Sequence, residues 1–155
     1  MDRILRSGEC DFAAGETERA TALLEDQIKG LPGGTRRAAS LRVLAQIRAR
    51  SLSVRDAFEL ATTARAEAGD ASEAIAEVEL DLAFYAFCLG DLVGAVDHAR
   101  AALPYAEHAG LDPVRAEALA CVSMAEFWLG RGRSEARMEE ALALEDPGRV
   151  GPLEI

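Results

Sequence analysis

One phrase recurs along this chain, and it restricts the fold more than any other feature. Phe12-Ala-Ala-Gly15-Glu, Phe87-Cys-Leu-Gly90-Asp and Phe127-Trp-Leu-Gly130-Arg share the form Phe-x-x-Gly followed by a polar residue. A fourth copy without glycine is placed at Leu52, which makes the intervals 37, 38 and 40 residues. A period of that size marks a supersecondary unit that cannot bury its apolar face alone and stacks against copies of itself.

The register can be tested at fixed offsets. Seven residues before each anchor stand Gly8, Ala45, Ala83 and Ser123, all small. Eight before stand Ser7, Leu44, Leu82 and Val122. Five after come Ala20, Ala57 and Ala95, with Ala136 six after the last anchor. Twelve after come Gln27, Ala64 and Ala102, and Pro32 and Pro147 each close a unit 17 residues after its anchor. Small residues at fixed places on both halves of a helical hairpin let two backbones approach closely, and the Leu or Val beside them fills the remaining space. Alanine, 31 of 155 residues, is common enough that one match means little. Two offsets kept small in all four copies are harder to reach by chance.

Helical periodicity runs through almost every segment, and period-2 alternation is not sustained anywhere. Gly and Pro punctuation predicts helices at about 2–14, 16–30, 35–50, 54–68, 71–89, 92–109, 113–129 and 133–144. Asp70 with Glu73 has capping-box spacing, Asp91 can cap the next helix, and Pro113 suits a first turn. Pro104 falls inside the 92–109 pattern and is expected to kink or split it, since it removes the hydrogen bond to the Arg100 carbonyl. The expected fold is all-α: a right-handed solenoid of about four helical hairpins. Residues 1–14 form an N-terminal partial helix, 15–145 the repeats and 146–155 a C-terminal tail.

The offsets, the Gly-[Asp/Glu] turn, the alanine five later and the closing proline resemble the tetratricopeptide repeat. At 37 to 40 residues the unit is longer than the usual one, and the large aromatic positions are poorly kept, so the chain is better described as TPR-like. A narrower resemblance covers roughly residues 8–145. Ala14-Gly-Glu-Thr-Glu-Arg-Ala-Thr-Ala-Leu-Leu-Glu25, the Leu31-Pro-Gly-Gly turn and Arg37-Ala-Ala-Ser-Leu-Arg-Val-Leu-Ala-Gln-Ile-Arg48 are similar to the helical-repeat region of large ATP-binding LuxR-type (MalT-like) transcriptional regulators. Phe87-Cys-Leu-Gly-Asp and Ala106-Glu-His-Ala-Gly-Leu are similar to its later repeats. This resemblance implies a sensor or interaction scaffold that receives an inducer or a partner protein. It also implies a fragment or truncated relative, because the sequence carries neither the phosphate-binding loop nor the helix-turn-helix of that family.

Chemistry-bearing residues are sparse: two His, three Cys and one Lys, Lys29. His98 and His108 stand ten apart with Pro104 between them, which is poor spacing for a shared metal. Cys10, Cys88 and Cys121 show no ligand spacing and are expected as core thiols in a reduced, cytoplasmic protein. No nucleophile–base pair is evident, so no catalysis, cofactor or metal is expected.

The net charge of −10 argues against direct binding of nucleic acid or an anionic membrane. Residues 1–65 hold 11 basic and 9 acidic side chains, and residues 66–155 hold 6 and 18. The segment with Arg36, Arg37, Arg42, Arg48 and Arg50 is either an anion or acidic-peptide site, or a face paired with Glu73, Glu77, Glu79 and Asp81 of the next unit.

In TPR-like hairpins the first helix of each pair lines the concave surface. Offsets then place Arg42, Gln46 and Arg50, then Glu77, Phe84 and Phe87, then Glu117, Met124, Phe127 and Trp128 on that surface. Such a groove suits a peptide or an amphipathic ligand, whereas the plain alternative makes Phe84, Phe87 and Trp128 core residues and leaves Tyr85 and Tyr105 with hydroxyls toward water. The expected partners are a protein or peptide, or flanking modules of a longer regulator. A stand-alone peptide adaptor and a small-molecule sensor with a pocket between repeats are the alternatives, and an exposed apolar end would favour homo-oligomers.

Overall fold

The computed structural model describes residues 17–51 and 53–145, and every described element is a helix. In chain order these are α1 (Thr17–Gly30), α2 (Thr35–Ser51), α3 (Val54–Glu67), α4 (Ser72–Cys88), α5 (Leu92–Ala109), α6 (Asp112–Trp128) and α7 (Glu135–Leu144). The expected helix at 2–14, the first copy of the repeated phrase, the anchor Leu52 and the tail 146–155 lie outside the described residues.

The turns are built from the repeated phrase. Gly90 and Gly130 adopt φ of 83° and 73°, the left-handed region that costs a residue with a Cβ. Each closes the same cap: Asp91 N donates to Ala86 O at 2.9 Å, and forty residues later Arg131 N donates to Glu126 O at 2.9 Å. These are the six-to-one bonds that satisfy carbonyls at a helix end. Helix starts are capped by Ser53, Asp91 and Ser134, whose side chains accept from the N–H three residues on. Asp70 does not act as predicted: α4 starts at Ser72 after Ala71, and Ala71 gives no side-chain cap.

α5 runs unbroken from Leu92 to Ala109, so Pro104 does not split it. Pro104 sits on an exposed face, as does Arg100, whose freed carbonyl is therefore on a side open to water.

Consecutive helices pack in sequence, giving the hairpins α2–α3, α4–α5 and α6–α7, with α1 against α2. In addition α2 packs on α4 and α4 on α6, whereas α1 and α3, α3 and α5, and α5 and α7 nowhere approach within 8 Å between Cα atoms. First helices thus form a tight inner row and second helices a spread outer row, which bends the stack toward the inner row. This is an all-α, TPR-like solenoid.

The core follows the repeat offsets. Ala45, Ala83 and Ser123 are buried, as are Leu44, Leu82 and Val122 beside them, and Ala20, Ala57 and Ala95 on the second helices. Ala64 and Ala102 are fully buried too. Ala136 departs from the pattern and is exposed, while Ala141 is the buried residue of α7. The extended Arg131–Ser134 turn delays the start of α7 and rotates it out of the offset register. Tyr85 also departs: at 2% exposed it packs among Leu41, Ala45, Val78 and Leu82 instead of reaching water.

Candidate functional site

The inner row presents the residues expected to form the groove, and none of them is buried. Arg42, Gln46, Glu77, Phe87, Glu117 and Met124 are half-buried, and Arg50, Phe84, Phe127 and Trp128 are exposed. Their neighbours one position round the helix, Leu41, Ala45, Val78, Ala83, Ala118 and Ala125, close the core beneath.

The row has two chemically distinct ends. Toward the helix N-termini lies a polar node. Arg42 Nε donates to Asp81 Oδ2 and its terminal nitrogen to Glu77 Oε2, both at 2.7 Å. Gln46 Nε2 donates to the same Asp81 carboxylate at 3.2 Å. Burial opposes the Arg42 charge, but Asp81 and Glu77 outweigh it and hold its pKa above the ordinary value. The structure therefore joins Glu77 to Arg42 directly and Gln46 to Arg42 through Asp81, which stands outside the expected groove set. Asp81 is one of the four acids with which the sequence reading pairs the arginine-rich segment. Glu77 and Asp81 supply that pairing here, while Glu79 turns to the other side of α4.

Toward the helix C-termini the row becomes apolar. Phe84 is 39% exposed, Phe127 55% and Trp128 66%. Phe87 and Leu129 pack against the cluster of Ala86, Ala95, Val96 and Ala125, where α4, α5 and α6 meet. Phe127 and Trp128 stand edge to face with ring centres 6.5 Å apart. Phe84 and Trp128 are thus surface groups, and Phe87 is half covered. Cys88, expected in the core, is exposed at this end. Cys121 is buried with Ala83, Ala99 and Val122, and burial pushes its thiol up to about 11.

Several other charged side chains tie helices of the stack together. Glu79 of α4 is 7% exposed and accepts from Arg65 Nε of α3 at 2.7 Å, while its other oxygen lies 2.8 Å from His98 Nδ1 of α5. A carboxylate can only accept, so Nδ1 carries the proton in that contact. Glu126 of α6 likewise accepts from Arg100 of α5 and Arg137 of α7, both at 2.6 Å. Each glutamate joins two outer-row helices whose backbones stand apart. Glu67 of α3 accepts from Gly34 N and from Arg37 at 2.9 Å, capping the start of α2 from across the hairpin.

Among the described residues no group of three or more His, Cys, Asp or Glu side chains is placed to hold a metal ion. A surface depression of about 440 Å³ is lined by Arg48, Asp56, Glu59, Leu60 and Thr63, none of them an expected groove residue. No described helix is long and apolar enough to cross a membrane.

No protein-family model matches the sequence, and no curated protein is similar to it. Among solved structures the chain is similar to MamA AMB-1, at 18% identity over 92% of this chain and 94% of that one, with a TM-score of 0.36. A likeness that weak carries no argument, and the fold rests on the helix packing described above.

Proposed function

We propose that the protein is a helical-repeat adaptor that binds a segment of a partner protein along the inner row of α2, α4 and α6, with no catalysis of its own. The observation that carries this reading is the set of large apolar side chains left in solvent on that row: Phe84, Phe127 and Trp128. Isolated exposed apolar residues are ordinary, but aromatics gathered at one end of adjoining helices, beside half-covered Phe87 and Met124, form a patch of the kind that marks an interaction site.

The test is a peptide-display selection against the immobilised protein. Selected peptides should lose binding to the double variant Phe84→Ser/Trp128→Ser and keep it on Leu142→Ser, a control on α7. Peptides that bind all three proteins alike would place the site elsewhere.

The narrower reading, a sensor region of a LuxR-type regulator, draws on the phrases at residues 14–48. In the described part of that stretch Ala20, Leu24, Ala38, Leu41, Leu44, Ala45 and Ile47 are buried. Their role is packing, which any helical-repeat array requires. They favour the hairpin itself, and the adaptor reading is therefore preferred. The length of the parent open reading frame separates the two, since a regulator needs nucleotide-binding and DNA-reading modules on the same chain.

A further inference from the structure

We propose that the aromatic end of the inner row takes a partner segment with Asp or Glu beside a large apolar side chain, its acids held by Arg131 and Arg133 of the α6–α7 turn. This rests on the adaptor reading and names the chemistry of the partner. Two observations carry it: where these charges lie, and that the fold leaves them unused.

The turn and the aromatic patch form one surface. Phe127 and Trp128 end α6 exposed, and Arg131, Gly132 and Arg133 after them are exposed too. The chain folds back at this point. Gly130 takes φ of 73°, Gly130 N donates to Phe127 O at 3.0 Å, and Arg131 N donates to Glu126 O at 2.9 Å. Arg131 is thereby fixed against the last turn of α6, the turn that bears Phe127 and Trp128. From Trp128 to Arg137 the sequence has three arginines and one acid, Glu135, in a chain whose net charge is −10.

Elsewhere arginines are used to build the stack. Seven of them pair with a carboxylate of another helix. On the inner row itself Arg42 is matched by Glu77 and Asp81, so no selection by charge is left there. Arg131 and Arg133 form no ion pair with any described residue. Glu126 is near Arg131, but Arg100 and Arg137 already bond it. The hydrogen bond from Arg137 is the first cause that holds the Glu126 carboxyl below its ordinary range, and the field of Arg131 comes last.

The repeat shows what the turn arginines replace. In the α4–α5 turn Gly90 is followed by Asp91, which caps α5 by accepting from Gly94 N at 2.9 Å. At the same offset the α6–α7 turn has Arg131, and Ser134 caps α7 instead. The two arginines therefore neither cap a helix nor tie one helix to another. A guanidinium group binds a carboxylate through paired N–H donors, and charges at the rim of an apolar patch decide which partner is accepted.

The chain has a single tryptophan, Trp128, so its emission reports occupancy directly. Three tryptophan-free peptides of equal length serve as probes. All share one Leu/Phe centre, and the flanks are Glu in the first, Ser in the second and Lys in the third. The expected result is a blue shift of Trp128 with the Glu-flanked peptide. Its affinity should be at least about tenfold above the other two at low salt, and the margin should shrink as salt is raised. Arg131→Glu/Arg133→Glu should reverse the order, making the Lys-flanked peptide the best of the three. Arg133→Glu alone, which leaves Arg131 beside Glu126, should move the order the same way. If the Ser or Lys peptide equals the Glu peptide while Trp128 still shifts, or the reversed charges leave the order unchanged, the partner chemistry is wrong and the adaptor reading stands. A single-stranded oligothymidylate that shifts Trp128 at lower concentration than the Glu peptide would overturn the assignment to a protein. If Trp128 shifts with no probe, both readings fail.

Discussion

Glu79 shows what single residues do in this molecule. Its carboxylate is buried between three helices, and it is tolerated there because Arg65 and His98 both bond to it. Burial opposes the charge, but the hydrogen bonds from His98 and Arg65 outweigh it and hold the carboxyl below its ordinary range. A depressed carboxyl stabilises the fold above its unfolded value of about 4.3, and that contribution is lost as pH falls through the folded value. Glu79→Ala strands Arg65 and His98 at a half-buried site and should cost about 3 kcal/mol at neutral pH, read by chemical denaturation. Glu79→Gln should lower Tm at about pH 6 and flatten its fall toward about pH 3; an unchanged slope would remove Glu79 from the acid response. Gly130 gives a second test. A Cβ there meets nothing within 4 Å, so Gly130→Ala is opposed by the backbone alone. It should cost about 1 kcal/mol, and a neutral result would mean the turn relaxes away from φ of 73°.

At the scale of the element, alanine offsets made most of the fold legible. A small residue is required wherever two helices touch, and Ala45, Ala57, Ala83 and Ala95 are all at 0% exposure. Helix boundaries fell within one or two residues of expectation because Gly, Pro, Ser and Asp set them locally. What failed depended on rotation about a helix axis. Tyr85 and Phe84 are adjacent in sequence and about 100° apart round α4, so one closes the core and the other meets solvent. Cys88 follows the row of Phe84 outward. The inner row was legible as positions, and so was the pairing of its arginines with acids of the next unit as one of two readings, but nothing in the spacing fixes which of those acids Arg42 reaches. Ala136 failed because two more turn residues precede α7 than the offset assumed. A pair of substitutions checks this register. Ala95→Leu forces a large side chain between helices and should destabilise by about 2 kcal/mol. Ala136→Leu, on the exposed face, should change stability by no more than about 0.5 kcal/mol. Equal costs in equilibrium denaturation would restore the simple offset.

The whole molecule is a stack in which each helix is held by its neighbours in sequence and, on the inner row, by the next hairpin. Stability in such an array is a sum of local terms, so it varies along the chain instead of rising and falling as one. α4 is the best-held element: it packs on α2, α3, α5 and α6, and eight of its residues are buried. Among the described helices the two ends are the least held: α1 packs only on α2, and α7 packs only on α6, buries only Ala141 and leaves Met138 and Leu142 exposed. The remaining ties of α7 are the pairs Arg137–Glu126 and Arg115–Glu140. Glu126 bonds Arg100 as well, so it holds the end of the stack to the hairpin before it. Native-state hydrogen exchange should therefore be graded, with α4 and the facing part of α5 slowest and the end helices α1 and α7 fastest among the described helices. Glu126→Ala should raise exchange in α7 about tenfold or more, the size of a loss near 1.4 kcal/mol, and leave α2 and α3 almost unchanged. If exchange rises equally from α2 to α7, the chain unfolds as a single cooperative body. The inner row could then not change curvature between hairpins when a partner occupies it, and the groove would act as a rigid platform.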